Sequence, residues 1–372
     1  MKKLALIFVL AGVLSVTTVL ANLDPPIPPL PPPQPWKSGE TTITLSQDGT
    51  LTVSGNGAME DYIFGHWNVT HWNSAVRYGV APPITAVVIE EGVTHIGDNA
   101  FWWDYDMTSI TVAANNAHYS SKDGVLFNKD KTAIILYPRG RQQDVYTIPN
   151  GVTTIEKQAF YGCLNLVSVT IPNSVVTIGE RAFSNFRHLT PTTNIDSVKN
   201  FSRGGEMLSE SRLTSITIPN SVTYIGKKAF SESGLTSITI PGSVKTIGDE
   251  AFSDCDILTS VTFEEGVTTI GDCAFIACGL TPSITIPKSV TYIGSLAFAN
   301  CFKLGSVTFL NHNPPEIDYQ AFLHTNPYFI FAPARSTFKI IVFSILSALI
   351  LSAVVFVIIK KSRKKQGKER RK

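Results

Sequence analysis

Side chains able to do chemistry are present in this chain, yet nowhere do they converge at a spacing a reaction needs. Seven histidines stand at 66, 71, 95, 118, 188, 312 and 324. Only His66 and His71 share a segment, and five residues apart in a loop they lack the one-face register of an H-E-x-x-H zinc pair. Asp104 with Asp106, and Asp254 with Asp256, are isolated D-x-D pairs that read as solvated carboxylates; a calcium loop brings roughly six to eight oxygens together. No G-x-S-x-G elbow, phosphate loop or dinucleotide glycine fingerprint occurs. The residues therefore announce no enzyme, no cofactor and no metal. Five cysteines are an odd number, which argues against a disulfide framework in an exported chain. Cys163, Cys255, Cys278 and Cys301 each lie three residues after a Phe. They read as small buried hydrophobes in one interior column. Cys273, beside Ala274, has no place in that column.

That spacing leads to the elements that carry it. Phe101, Phe160, Phe183, Phe230, Phe252, Phe275, Phe298 and Phe322 are separated by 59, 23, 47, 22, 23, 23 and 24 residues. Periods in the twenties mark a solenoid of stacked units. The interval of 47 is close to two periods, and residues 197–219 align with 221–241, Leu208 standing at the Phe slot. With that worn repeat the count is nine units. The unit reads L-T-S-[IV]-T-[IF]-P-x-S-V-T-x-I-G-x-x-A-F-x-x-C. In 235–241, Leu235, Ile238 and Ile240 face inward while Ser237 and Thr239 alternate outward, a short half-buried strand. Pro241 ends it, Val244 and Ile247 add a second inward pair, and Gly248 permits positive φ or a close backbone approach. Ala251 and Phe252 follow in a short helical or turn segment. The expected fold is an α/β repeat solenoid, β-rich, with Phe160, Phe183, Phe230, Phe252, Phe275, Phe298 and Phe322 stacking through its core.

Phrases such as NSVTYIGKKAFSESGLTSITIP make residues 84–323 resemble the BspA-like (Treponema pallidum-type) leucine-rich repeat. The departures are Glu156, Ser202 and Asp318 at the Gly slot and Leu208 at the Phe slot. The resemblance implies a cell-surface protein, as in bacteria and some parasitic protists. It implies an architecture similar to adhesins that bind host matrix proteins or other cells.

The flanks give addresses. Residues 1–21 have the basic start, apolar run and small residues of a signal peptide cut after Ala21, an uncleaved anchor being the other reading. Residues 22–35 are a Pro-rich spacer, or a ligand for a Pro-binding domain. Residues 36–83 read as an N-terminal β cap with a hairpin at Asp48-Gly49. The solenoid spans 84–323, with inserts at 102–147 and 184–212, and a juxtamembrane linker covers 324–339. Residues 340–359 carry no charge over a length that spans a bilayer. The tail 360–372 holds nine Lys or Arg and one Glu, which leaves it cytoplasmic and the N-terminal region outside. The tail could also meet anionic lipid headgroups. A wall-sorting Leu-Pro-x-Thr-Gly motif is absent.

Residues 22–338 hold 28 acidic against 19 basic residues, which excludes a nucleic-acid partner on charge grounds. The leading functional reading is a membrane-anchored surface protein mediating protein–protein or cell adhesion, its partners extracellular proteins or cell surfaces. A structural spacer without a ligand is the alternative. The outward Ser/Thr ladder is nearly invariant, so specificity is expected in the interruptions. The insert 115–149 reads as a hairpin extending from the wall. Its exposed-looking binding candidates are Trp102, Trp103, Tyr105, Tyr119, Arg139 and Arg141, the two Trp alternatively packing against the cap. Asn68 and Asn200 head glycosylation sequons, meaningful in a eukaryotic source.

Overall fold

Two short strands per coil build the protein, and each pairs in parallel with its equivalent one coil away. The computed structural model describes residues 34–62, 70–77, 79–185, 213–311, 315–325 and 330–333. The expected leader, nearly all of the Pro-rich spacer, residues 326–329 and 334–339 of the juxtamembrane linker, the apolar stretch 340–359 and the basic tail lie outside these residues. Among the described residues no helix is long and apolar enough to cross a membrane.

The first strand of a coil is the S-[IV]-T-[IF] phrase. Ser237–Ile240 pairs with Ser260–Phe263, and Ser283–Ile286 with Ser306–Phe309, every residue opposite its repeat equivalent. Their burial alternates as the period of two requires, with Ile238 and Ile240 inside and Ser237 and Thr239 outside. The second strand is only two residues long. It nonetheless forms the longer ladder, running Ile155, Ile178, Ile225, Ile247, Ile270, Ile293 and Ile317 in register.

Between second strand and next first strand the chain turns through Ala and Phe. These segments are turns, not helices. Glu250 and Asp254, flanking Phe252, both have left-handed φ, 55° and 58°, and residues at the matching slots repeat this in nearly every coil. A left-handed residue cannot propagate a right-handed helix. The sole helix among the described residues is His71–Arg77, in the cap.

Gly248 serves close approach rather than positive φ. A side-chain carbon there would stand 2.7 Å from the carbonyl carbon of Gly226 in the preceding coil. Gly226 meets Gly179 in the same way, at 2.6 Å. The rings then stack: Phe160, Phe183, Phe230, Phe252, Phe275, Phe298 and Phe322 lie 4.9–5.3 Å apart, centroid to centroid, with planes within 13°.

This column keeps the count at nine and changes one member. Phe183 stacks directly on Phe230 at 5.2 Å, and Ile178 pairs directly with Ile225. No coil stands between them, so the segment aligned around Leu208 adds no ring to the stack. Residues 186–212, with Leu208, lie outside the described residues. The ninth ring is Tyr137 instead. It stacks on Phe160 at 5.3 Å, and its N–H reaches Ala159 O as the Phe160 N–H reaches Ala182 O. Tyr137 lies 23 residues before Phe160, which resolves the interval of 59 into 36 and 23.

The insert before Tyr137 is a second correction. Tyr119–Lys122 and Val125–Asn128 form a hairpin, but it lies within the wall rather than extending from it. Val125–Asn128 pairs antiparallel with Ala133–Leu136, which continues the second-strand ladder. Both of its faces are covered. Val125 and Phe127 join the core of the long stack, while Leu126 joins the core formed by the cap and first coils. The hairpin is thus a partition between two hydrophobic cores.

In the cap, Thr41–Leu45 and Thr50–Gly55 form the expected hairpin about Asp48-Gly49. Thr50–Gly55 then pairs in parallel with Ala86–Ile89, so the cap is sealed onto the solenoid by a ladder of its own. Trp72 is fully buried there, with Tyr62 edge-on at 5.7 Å.

The cysteines are all free thiols, and the column of four is buried. Each thiol donates to the carbonyl of a ring residue in the preceding coil: Cys255 to Phe230 O at 3.2 Å, Cys278 to Phe252 O at 3.1 Å, Cys301 to Phe275 O at 3.2 Å. Burial pushes the Cys163 and Cys301 thiols up to about 12. Because the column is buried and Cys273 is only half-buried, a thiol-directed maleimide at pH 8 is expected to label Cys273 alone in the folded chain and all five cysteines in guanidinium. Stoichiometric labelling of the native column would show that the coils open.

Candidate functional site

Exposed side chains on the coils follow the two ladders. Ser237, Thr239, Ser260, Thr262, Ser283 and Thr285 are exposed; the first four pair in register, and Ser283 and Thr285 pair with Ser306 and Thr308. Hydroxyls at the coil corners are instead spent on the neighbouring coil: Ser174 and Ser221 donate to Val152 O and Val175 O at 2.7 and 2.6 Å, and Thr268 to Lys245 O at 2.8 Å. The outward column of the second ladder reads Thr154, Thr177, Tyr224, Thr246, Thr269, Tyr292 and Glu316. Tyr224 and Tyr292 interrupt it with rings 43% and 37% exposed, and Tyr319, in the last coil, is 89% exposed. Asp272, Asp318 and Glu316 act on Tyr292 electrostatically. The wall there combines aromatic rings with carboxylates.

The sequence candidates of the insert are not such a surface. Trp102 and Arg139 are buried, which corrects their exposed reading. Arg139 lies flat among rings, its guanidinium 4.7 Å from the centre of Trp102, 5.1 Å from Tyr161 and 5.7 Å from Tyr105. It donates through Nη1 to Trp102 O. Trp103 is half-buried and meets Tyr105 edge-on at 6.4 Å. These four candidates come together, and Tyr161 and Asp104 join them. The other two lie apart. The Tyr119 hydroxyl accepts from Ile96 N–H at 3.0 Å, and Arg141 covers the Tyr137 ring at 5.2 Å while donating to Asp123 O.

Asp104 is the residue that sequence reasoning misplaced: it is 4% exposed, not a solvated carboxylate. Burial pushes its carboxyl up to about 7, against the pull of Arg139 and with a push from Asp106. Its Oδ2, the Tyr105 hydroxyl and Arg139 Nε have no hydrogen-bond partner in the protein. The legible signal is its place directly after the adjacent Trp102 and Trp103 and before Tyr105, a stretch too aromatic to be a solvated loop.

A cavity of about 100 Å³ lies beside the Arg139 box, where the Phe101 coil meets the Tyr137 coil. Lys157 closes on Asp98 across it at 2.8 Å. Among the described residues no group of three His, Cys, Asp or Glu is placed to hold a metal ion.

The BspA type leucine-rich repeat region, in six copies, matches residues 142–233 and 202–328. Among solved structures, the chain is similar to a leucine-rich repeat protein from Eubacterium ventriosum, at 19% identity over 81% of this chain and 96% of that one, with a TM-score of 0.38. It is similar to a leucine-rich cell surface protein from Faecalibacterium prausnitzii at 20% identity, covering 76% and 96%, TM-score 0.42. A leucine-rich repeat protein from T. pallidum is 25% identical over 53% of this chain and 70% of its own, TM-score 0.31. No curated protein matches the sequence.

Proposed function

The chain belongs to the BspA-type leucine-rich repeat family, and from that premise we propose that it is a non-enzymatic, membrane-anchored cell-surface protein that binds other proteins or cells through its solenoid wall. The observation that supports this most is the division between interior and exterior. Interior slots repeat with little variation, whereas the outward column of the second ladder changes from Thr to Tyr at 224 and 292. A uniform hydroxyl ladder offers every partner the same surface; exposed rings on a rigid wall supply the anchors that dominate binding energy. Specificity is therefore assigned to Tyr224, Tyr292 and Tyr319 rather than to the insert hairpin, which is spent on the core. The anchor is the apolar stretch 340–359 with its basic tail, and the leader delivers the chain outside.

The test is binding of residues 22–337 to arrayed matrix proteins, glycans and cell surfaces, beside a chain carrying Tyr224→Ser, Tyr292→Ser and Tyr319→Ser. These side chains are exposed, so the variant keeps its fold. Saturable binding that weakens at least ten-fold in the variant is the expected result. Binding no better than that of a scrambled-repeat control would leave the chain a structural spacer.

A further inference from the structure

The aromatic interruptions of the wall do not stand in neutral surroundings. Residues 249–325 hold nine Asp or Glu against two Lys, so the last coils carry a strong negative charge. Four of these carboxylates surround Tyr292. Thr269, Tyr292 and Glu316 are successive members of the outward column, paired in register. The slot after the coil glycine forms a second column beside it, reading Asp249, Asp272, Ser295 and Tyr319, with Asp318 at the glycine slot of the last coil. Asp249, Asp272 and Glu316 are exposed, as are the rings of Tyr292 and Tyr319, and Asp318 is half-buried. All four carboxylates lie close enough to act on Tyr292 electrostatically.

At other points of the solenoid, charges are matched within the chain. Glu250 is met by Lys227 at 3.6 Å and by Lys228 at 2.9 Å, and Asp98 by Lys157 at 2.8 Å. Among the described residues no Lys, Arg or His forms an ion pair with Asp249, Asp272, Glu316 or Asp318. Three of them are oriented by the main chain instead. Asp249 Oδ1 accepts from Asp272 N–H at 3.1 Å, Asp272 Oδ1 from Ser295 N–H at 2.8 Å, and Asp318 Oδ1 from Gln320 N–H at 2.9 Å. An ionised carboxylate has about four acceptor sites, so one such bond leaves room for an outside donor.

We propose that this face docks an arginine-rich protein segment laid across Tyr292 and Tyr319. A guanidinium stacks on an aromatic ring and takes a carboxylate in a planar fork, so one residue type satisfies both halves of the surface. The excess of negative charge attracts such a segment and repels nucleic acids and acidic glycans. Rings borne on a ladder and carboxylates held by the main chain lose little freedom on binding, which leaves the ordering cost to the partner. The proposal rests on the surface-binding reading and names the chemistry of its partner.

The experiment is fluorescence-anisotropy titration of a labelled alternating Arg-Gly peptide with the full chain in nonionic detergent, beside the Gln-Gly counterpart and with cellohexaose as a neutral glycan competitor. The expected result is saturable binding of the Arg-Gly peptide, at least ten-fold tighter than that of Gln-Gly, and no displacement by the glycan. Asp249→Asn, Asp272→Asn, Glu316→Gln and Asp318→Asn together are expected to weaken it at least ten-fold. Asp254→Asn, Asp256→Asn, Glu264→Gln and Glu265→Gln remove the same charge from other turns of these coils and are expected to change it less than two-fold. Tyr292→Ser with Tyr319→Ser leaves the charge unaltered and is expected to weaken binding at least five-fold, which locates the site even if a carboxylate variant does not fold. Equal losses in the two carboxylate variants would reduce the effect to net charge and overturn the proposal. Displacement by cellohexaose, or unaltered affinity in the tyrosine variant, would overturn it too. If the Arg-Gly peptide does not bind while the three Tyr→Ser substitutions still weaken array binding, the surface reading stands and its partner is not cationic; if neither is seen, both readings fall.

Discussion

Phe252→Ala lowers the stability of the solenoid by about 3–5 kcal/mol, the cost of emptying a fully buried aromatic site. The ring is 0% exposed and stacks on Phe230 at 5.1 Å and on Phe275 at 5.0 Å, with planes 7° and 3° from parallel. Offset aromatic pairs add about 0.5–1.5 kcal/mol each beyond burial, so this residue loses two such contacts at once. The backbone cannot close over the hole. Gly226 and Gly248 already bring neighbouring coils to contact, and Ala251 O is held by Phe230 N–H at 2.7 Å. Phe252→Leu fills most of the volume and loses only the stacking, so it is expected to cost less than half as much. In a repeat array each coil is supported by its neighbours alone. The larger variant therefore also broadens the denaturation curve, as the two halves melt more independently. Equilibrium unfolding in guanidinium measures both quantities. A Phe252→Ala cost under about 1 kcal/mol would mean that the column is not the core of the stack.

Asp104→Asn is expected to remove most of the pH dependence of stability between pH 4 and pH 7. Burial holds the native carboxyl at about 7, while in the unfolded chain it titrates near the ordinary value of about 3.9. The native state therefore binds the extra proton between these limits. Stability is fully present below about pH 4, falls as pH rises towards 7, and is level above. At about 1.4 kcal/mol per unit, the loss is on the order of 4 kcal/mol. The charged groups that act on the carboxyl are Arg139, which attracts its anion, and Asp106, which repels it. Because the pKa is raised overall, the attraction of Arg139 does not offset desolvation, and an amide in this place is better tolerated than a carboxylate at neutral pH. The Asp104→Asn chain should thus match the unaltered chain at pH 4 and exceed it by a few kcal/mol at pH 8. Thermal melts across this range check the sign. An unchanged slope would show that Asp104 is already ionised in the folded protein.

The legible part of the molecule is the part that repeats. The Phe ruler, the alternation of Ser and Thr with Ile and Val, and the cysteine column follow from residue type and period, and the structure reproduces them in register. Tyr137 escaped the ruler because its coil keeps only the interior ring and loses the surrounding phrase; a period of 23 read backwards from Phe160 finds it. The alternation of the hairpin suggests a free ribbon, which the structure replaces with a strand inside the wall. The three consecutive apolar residues Val125, Leu126 and Phe127 are instead the mark of a strand covered on both faces. The alignment about Leu208 failed for the opposite reason. The flanking phrases match well, but nothing in a one-dimensional alignment reveals that Phe183 and Phe230 already touch. The Arg139 box was half legible. Its aromatic and Arg composition stood out, yet a charged residue is read as exposed by default, and Arg139 is among the few that are not.

One unbroken stack of rings runs from Tyr137 to Phe322. Replacing residues 186–212 by Ser-Gly tests this most directly. The replacement shortens the interval from Phe183 to Phe230 to 22 residues, the length of a regular coil. Thermal unfolding of the shortened chain should occur at the same temperature as the unaltered chain or higher, in a transition at least as sharp. A lower and broader transition would mean that residues 186–212 form part of the stack, and the account of an unbroken column would be wrong.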